Sequence, residues 1–159
     1  RGLGKLFLVT VLLVYSVNLL YFTNYYLVHY PLEKSDWQFD PSKEVALTVL
    51  ENINKYDKIV VDPNFGKNGP NILGVPDLYI LFYGKIKPQQ YWSEITNKGF
   101  KNIEFRKIEW NLEKEQKNVL LIGSPWSLPI NDIGSSLVKR INFINGDAAY
   151  YAVETPRDY

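Results

Sequence analysis

The stretch Leu6-Phe-Leu-Val-Thr-Val-Leu-Leu-Val-Tyr15 opens a run of 23 residues, 6–28, without a charged side chain. A helix of that length spans about 34 Å at roughly 1.5 Å per residue, enough for a hydrocarbon core about 30 Å thick. The far end of the run, Tyr21-Phe-Thr-Asn-Tyr-Tyr26, carries amphipathic aromatic side chains of the kind found at headgroup level. We therefore expect residues 1–30 to form a transmembrane helix with an aromatic interface, in contact with the lipid bilayer.

Two other interpretations of this segment are open. A cleaved signal peptide has a shorter apolar region and a small-residue cleavage site, whereas the first Ala of this chain is Ala46. A buried helix of a soluble protein normally carries a polar stripe, which is missing here. The length and the flanking residues favour a membrane helix over both.

The overall composition excludes several classes of function. The 159 residues have a formal net charge of +1, which gives no electrostatic basis for a nucleic-acid partner. There is no Cys, which rules out disulfides, thiolate nucleophiles and Cys-ligated zinc. The single His argues against His-rich metal sites. Because Met is absent and Arg1 comes first, we expect the sequence to be a piece of a longer protein.

Beyond Pro31 the apolar positions become periodic and the charged residues are spread along the chain. Asp40-Pro-Ser42 suits the start of a helix, because Asp can cap it and Pro is favoured in the first turn. Lys58-Ile-Val-Val-Asp62 is typical of a short buried strand. Asn145-Gly146 between two apolar segments is a strong signal for a β-hairpin.

The other elements alternate in the same manner. Helices are expected from Ser42 to just before Tyr56 and over 76–83, 88–98 and 131–138, and strands over 58–62, 100–110, 118–122, 141–144 and 147–153. Loops are expected at 63–71 and 111–117. Residues 78–83 are apolar on all sides and also fit a strand, but a Pro start and a Gly stop favour a helix. Residues 31–159 are thus predicted to be a soluble α/β domain, a two-layer or three-layer sandwich with a mixed sheet and a C-terminal antiparallel hairpin.

Two features follow the first predicted strand. Gly66-Lys67 resembles part of a phosphate loop, but Val61 and Asn68 stand where GxxxxGK[ST] needs Gly and Ser or Thr, and Pro70 has no N–H to offer a phosphate. An ordinary connecting loop is the better interpretation. Asp62 lies at the edge where open α/β sheets bind ligands, although it could equally cap the loop.

Ser124 follows another buried strand, as nucleophilic serines sometimes do. It lacks the G-x-S-x-G pattern, and the single His29 lies at the membrane boundary, far from it in sequence. A turn that ends the strand accounts better for Ser124. His29 is interpreted as an interfacial residue, not as a proton shuttle.

The remaining candidates are acidic and aromatic side chains. The acidic pairs Glu104/Glu109 and Glu113/Glu115 alternate with basic residues and are predicted to form a solvated charged surface, not an acid/base pair in a pocket. The four tryptophans could stack on sugar rings, although core packing is the commoner use of Trp; they are Trp37, Trp92, Trp110 and Trp126. No residue is assigned a catalytic, cofactor-binding or metal-binding role.

Segments along most of the chain carry a family resemblance: Asn24-Tyr-Tyr-Leu-Val-His-Tyr-Pro31, Asp36-Trp-Gln-Phe39, Lys43-Glu-Val45, Tyr56-Asp-Lys-Ile-Val60, Leu78-Tyr-Ile-Leu-Phe-Tyr83, Phe105-Arg-Lys-Ile108, Leu120-Leu-Ile-Gly-Ser-Pro125 and Ile141-Asn-Phe-Ile-Asn-Gly-Asp147. Together they resemble the C-terminal region of polytopic GT-C glycosyltransferases. The similar class is the superfamily of dolichyl-phosphate-mannose–protein mannosyltransferases and aminoarabinose transferases. In many of its members the last membrane helix leads into a small extracytoplasmic α/β domain.

The resemblance implies a plasma-membrane enzyme that moves a sugar from a polyprenyl-phosphate-linked donor to an acceptor, with upstream membrane helices as further partners. In that family the catalytic carboxylate, and in some members a divalent metal, lies in an early extracytoplasmic loop. No position of this chain matches that loop, so the domain is expected to be accessory and without a cofactor of its own. The alternatives are a single-pass, membrane-anchored binding or assembly module without enzyme activity and, less favoured, a tethered hydrolase.

The charges beside the apolar run predict the orientation of the chain. Arg1 and Lys5 precede the run, whereas only His29 lies at its other end before Pro31. Positive residues close to a membrane helix are retained on the cytoplasmic side. Residues 31–159 are therefore predicted to lie outside the cytoplasm.

Overall fold

The computed structural model describes residues 2–35, 37, 39–96 and 99–156. The helical segments are α1 (Gly2–Asn24), a π-helical turn (Tyr25–His29), α2 (Tyr30–Glu33), α3 (Ser42–Asn52), α4 (Pro76–Tyr83), α5 (Pro88–Glu94), α6 (Trp110–Glu113), α7 (Ile130–Ile133) and a 3-10 turn (Gly134–Ser136). The strands are β1 (Lys58–Val61), β2 (Asn64–Phe65), β3 (Ile72–Leu73), β4 (Ile95–Thr96), β5 (Gly99–Phe100), β6 (Ile103–Phe105), β7 (Val119–Gly123), β8 (Leu137–Asn142) and β9 (Ala148–Glu154).

The 32 residues Gly2–Glu33 form one continuous helical segment, which is long and apolar enough to cross a membrane. None of α1 is buried, so this helix is not a core helix of the domain that follows. The π-helical turn lies just before Pro31, whose ring would clash with a carbonyl in a regular helix interior. The predicted apolar helix is confirmed, and it extends three residues beyond residue 30.

Seven strands form a mixed sheet in the order β4-β5-β6-β1-β7-β9-β8. Its three central strands, β6, β1 and β7, are parallel, and the outer pairs are antiparallel. The predicted α/β fold with a mixed sheet is therefore confirmed. A separate antiparallel pair joins β2 and β3.

Alternating residues of the central strands supply two cores. Ile59 and Val61 point into the larger core, which α3 and α4 cover through residues such as Val49 and Ile80. Val60 points to the opposite face, where a smaller core includes Ile133 of α7. The sheet is therefore covered on both faces, as parallel strands usually are.

The C-terminal hairpin, β8 and β9, is confirmed as antiparallel. The Gly146 amide donates to the Phe143 carbonyl at 2.9 Å, and Gly146 has a φ of 89°. This is the geometry of a turn whose last residue is left-handed, where Gly costs no strain. The first strand begins at Leu137, earlier than predicted.

That early start corrects the predicted helix over 131–138. The helix α7 ends at Ile133 because Gly134, at a φ of 52°, takes the chain out of helical geometry. Leu137 and Ile141 are four residues apart, which satisfies a helical as well as a strand pattern. Pairing with β9 decides between the two.

Three further predicted elements differ in their limits. The strand expected over 100–110 is interrupted at Lys101, which has a φ of 54°, so that β5 and β6 form a tight hairpin. The helix expected to reach Lys98 ends at Glu94, and Lys98 itself lies outside the described residues. The expected loop at 63–71 contains β2, whose Phe65 is fully buried in the larger core.

Candidate functional site

The carboxyl ends of β6, β1 and β7 meet at one edge of the sheet. The chain leaves β1 to build β6 on one side, and then crosses to build β7 on the other side. In open α/β sheets, ligands bind in the crevice outside the strand ends where the strand order reverses in this way. Here that crevice lies beyond Asp62, which follows β1 directly.

Asp62 holds the three loops of this edge together. Its Oδ1 accepts from the Asn64 backbone N–H at 2.9 Å and from Asn64 Nδ2 at 3.0 Å. Its Oδ2 accepts from Ser127 Oγ at 2.6 Å and from the Ile108 N–H at 3.2 Å. The side chain is completely buried, so its carboxylate is a structural hub. Capping of the loop, one of the two predicted roles, is therefore what the contacts display.

The crevice itself is a cavity of about 570 Å³. Its lining comes from the loops after all three parallel strands and consists of Asp62, Asn64, Pro70, Lys107, Ile108, Glu109, Trp110, Asn111, Trp126, Ser127, Pro129 and Asp132. The volume falls within the range of roughly 300–1,000 Å³ that is usual for small-molecule sites. This cavity is the candidate site.

Two tryptophans line the cavity from opposite loops. Trp110 begins α6 and packs partly against the smaller core. Trp126 follows β7, is 56% exposed, and donates from Nε1 to the Gly66 carbonyl at 3.1 Å. Sequence reasoning singled out both residues but could not place them in one site, because no local pattern links positions so far apart.

The loop that contains Gly66 also contacts the end of the apolar helical segment Gly2–Glu33. Lys67 Nζ donates to the backbone carbonyls of Leu32 at 2.9 Å and Glu33 at 3.2 Å. A cation at the C-terminal end of a helix satisfies its free carbonyls and its dipole. The Lys67 ammonium group thus binds the helix end. This contact fits the predicted connecting loop better than a phosphate site. The cavity edge of the sheet consequently lies on the side of the domain that faces the end of the apolar helical segment.

Gly66 is required by the tightness of this loop. Its φ is 143°, and an added Cβ would lie 2.5 Å from the Gly69 carbonyl oxygen. Only glycine tolerates both conditions. The tight turn at Gly66 therefore accounts for the Gly66-Lys67 pair that resembled part of a phosphate loop. In this turn the Gly66 carbonyl accepts from Trp126, and Lys67 contacts the helix end.

An ion-pair network joins β6 to α6, and residues 107–109 between these two elements line the cavity. Arg106 donates from Nε to Glu104 at 2.9 Å and also pairs with Glu113. Burial, the largest influence, raises the pKa of Glu104, but the hydrogen bond from Arg106 and the charge of Lys58 together bring that pKa below its ordinary value. The same network, led by the hydrogen bond to Glu113, raises the pKa of Arg106.

This network corrects the predicted solvated surface in part. Glu113 is only 4% exposed, because α6 turns it inward towards Arg106. Glu104 is half-buried, whereas Glu109 and Glu115 are exposed as expected. Arg106 pairs with Glu104, two positions before it, and with Glu113, seven positions after it. The second pair forms only because the chain turns back after β6.

Tyr150 lies in the core beneath the edge. Its burial, together with the negative charge of Asp62, raises the pKa of the phenol. The side chain therefore stays neutral at physiological pH. Its role is packing against Phe65, at a ring separation of 5.5 Å.

The other predicted candidates lie elsewhere or make turns. Ser124 is buried, and its carbonyl accepts from the Ser127 and Leu128 amides, as expected of a strand-ending turn. His29 stacks on Tyr25 in the π-helical turn, at a ring separation of 6.1 Å. Trp92 is exposed on α5. Trp37 is exposed in the segment between α2 and α3.

Among the described residues, no group of three or more His, Asp or Glu side chains is arranged to hold a metal ion. No protein-family model, curated protein or solved structure matches this chain.

Proposed function

We propose that this chain is the C-terminal region of a membrane glycosyltransferase of the GT-C type, which uses a polyprenyl-phosphate-linked sugar donor. In this proposal α1 is its last membrane helix, and the α/β domain is an extracytoplasmic accessory domain. The proposal rests on the sequence resemblance and on one structural observation. The cavity-bearing edge of the sheet is tied through Lys67 to the end of the membrane helix.

That connection suits a lipid-linked substrate. The sugar of such a donor lies at the bilayer surface, because its polyprenyl chain stays in the hydrocarbon. A cavity on the side of the domain that faces the helix end is placed near that surface. A cavity on the opposite edge of the sheet would have no such access.

The contacts of the cavity support an accessory role. Asp62, its buried carboxylate, already accepts four hydrogen bonds from the loops that surround it. A general base needs a free oxygen within hydrogen-bond reach of the proton that it removes. Asp62 is therefore better suited to shaping the cavity than to proton transfer.

A membrane-anchored binding module without transferase activity is the second candidate. The observation that favours it is that a single helix in the described part of the chain could span a membrane, and it leads directly into a domain with its own cavity. The sequence upstream of Arg1 discriminates the two. Eight or more further hydrophobic spans, with an acidic residue in the first outer loop, support the transferase, whereas a start codon directly before Arg1 supports the module.

Sidedness provides the experimental test. A single Cys introduced as Asn68→Cys, at an exposed position, is treated in intact cells with a membrane-impermeant maleimide after any upstream Cys has been removed. Labelling in intact cells is expected, because donor and acceptor chemistry of this type takes place outside the cytoplasm. Labelling only after lysis would contradict both the orientation and the transferase.

Activity provides a second test. In the intact enzyme, Asp62→Asn, Glu104→Ala and Glu109→Ala should each lower turnover by much less than the roughly 10²–10⁴-fold that follows loss of a general base. Turnover is measured as transfer of radiolabelled sugar in isolated membranes. A loss of that size in a folded variant would show that the domain takes part in the chemistry.

A further inference from the structure

We infer that the cavity at the carboxyl edge binds a sugar ring, uncharged or amino-substituted, between Trp110 and Trp126. The inference deepens the proposed function, because it assigns the ligand class of the accessory domain. It is carried by the aromatic faces, the free polar groups and the charge of the cavity.

Both indoles line the cavity, where Trp126 is largely exposed and Trp110 is half-buried. Neither Trp110 nor Trp126 stacks on another aromatic ring among the described residues. Each is nevertheless held in place, Trp110 by the smaller core and Trp126 by its hydrogen bond to Gly66. The C–H faces of a pyranose carry slight positive charge and are attracted to the negative face of an indole. Fixed indoles bind such a face without loss of side-chain entropy.

The polar lining suits hydroxyl groups. Lys107, Glu109, Asn111 and Asp132 are exposed in the cavity, and their side chains have no hydrogen-bond partner within the described residues. They offer ammonium and amide donors beside carboxylate and amide acceptors. A sugar hydroxyl, which both donates and accepts, can pair with either kind.

The charge of the cavity argues against phosphate ligands. The lining contains three carboxylates, those of Asp62, Glu109 and Asp132, and one ammonium group, that of Lys107. This excess of negative charge repels phosphate, nucleotides and other anions. It also attracts the cationic amino group of an amino sugar. Because the lining repels phosphate, we expect recognition through the sugar ring and not through a phosphate group.

The test is saturation-transfer NMR on the full chain in lipid nanodiscs, because a sugar-based detergent would compete for the site. The probes are methyl α-mannopyranoside, methyl β-glucopyranoside, glucosamine, methyl phosphate and uridine diphosphate, all of which carry non-exchangeable protons that report the transfer. Transfer is expected to at least one of the three sugars and to neither anion. Transfer to methyl phosphate or uridine diphosphate that equals or exceeds transfer to every sugar, or no transfer to any sugar, would overturn the inference.

Variants localise the binding. Trp126→Ala should weaken sugar binding by about tenfold or more, since one stacked ring carries a large share of a small ligand's affinity. Trp126→Phe should retain most of the binding because it keeps an aromatic face. The matched control is Trp92→Ala, which removes an exposed indole that does not line the cavity and should leave binding unchanged. Because Trp126 is largely exposed, its loss does not threaten folding as that of Trp110 could.

Two outcomes separate the inference from the proposed function. Equal binding by Trp126→Ala and the unmodified chain would overturn the sugar site, even where Asn68→Cys labels from outside. Sugar binding that depends on Trp126, in a domain labelled only after lysis, would keep the site and reject the transferase.

A sugar-headed glycolipid added to the nanodisc identifies the source of the bound sugar. Competition between the glycolipid and the soluble sugar indicates a lipid-linked ligand, and a lack of competition indicates a soluble acceptor.

Discussion

The apolar helix and the sheet domain of this chain are each stabilised by a different kind of contact. In α1 the polar side chains bond within the helix, as Thr10 does to the Leu6 carbonyl and Ser16 to the Leu12 carbonyl, each four residues away. In the domain the decisive contacts are distant, as from Ser127 to Asp62, 65 residues apart. The helix is therefore stabilised by bonds within itself, whereas the domain is stabilised by contacts between distant parts of the chain.

The difference predicts how the two regions respond to change. A local helix in lipid tolerates single substitutions, because every backbone group is satisfied within the segment. A site built from three loops fails when the residue that joins them is lost. The following experiments test that contrast, beginning with the largest expected effect.

Removing the helix should make the protein soluble in water without detergent. A chain shortened to residues 33–159 is expected to stay in solution without detergent and to show helix and strand by circular dichroism, because both cores lie within the domain. The full chain should require detergent or lipid. Aggregation of the short chain together with detergent-free solubility of the long one would mean that the helix belongs to the soluble core.

Asp62→Ala should cost about 3 kcal/mol of stability, because it leaves buried N–H and O–H donors without an acceptor. The free energy of unfolding is measured by chemical denaturation, followed by Trp fluorescence. Asp57→Ala is the matched control. Asp57 precedes β1 at the opposite edge and is exposed, so its loss should stay within about 0.5 kcal/mol. Equal losses in the two variants would show that Asp62 is not the hub of the site.

Glu104 should contribute stability that depends on pH. Its pKa is lowered in the folded state, so its contribution is complete above the unfolded value of about 4.3 and is lost as the pH falls through the lower folded value. Glu104→Gln is expected to lower stability at pH 7, and the difference from the unmodified chain should shrink as the pH falls below about 4.

Denaturation curves between neutral and acidic pH measure this difference. The control is Glu115→Gln, at an exposed carboxylate without an ion pair among the described residues, and it should leave the pH profile unchanged. A Glu104→Gln effect that is constant over the whole pH range would contradict a lowered pKa.

The smallest effect is expected at the junction of the two regions. Lys67→Ala removes the cation from the end of α2 and should cost about 0.3–1 kcal/mol, the usual value of a charge at a helix terminus. Thermal unfolding in nanodiscs measures the loss, and Lys114→Ala at an exposed position is the control. No difference between the two variants would indicate that Lys67 does not couple the domain to the helix.

Much of the domain could be predicted because its signals are local. The buried strands at 58–62 and 118–122 are short runs of apolar residues, and Pro76 and Gly84 bound α4 as Pro and Gly usually do. The turn at Asn145-Gly146 was equally clear. The predictions failed where one spacing of apolar residues fits both a helix and a strand, as at Leu137 and Ile141. They also failed where a residue with positive φ, such as Lys101, interrupts a strand.

The sequence by itself determined the apolar helix, the alternation of helices and strands, and the position of Asp62 at a strand end, because each depends on residues close together in the chain. Only the tertiary structure decided that Asp62 would join three loops, that Glu113 would be buried against Arg106, and that Trp110 and Trp126 would line one cavity. These contacts arise from the order in which β6, β1 and β7 pair. Strand order is set by the combined burial of two core faces, and no local stretch of the chain carries that information.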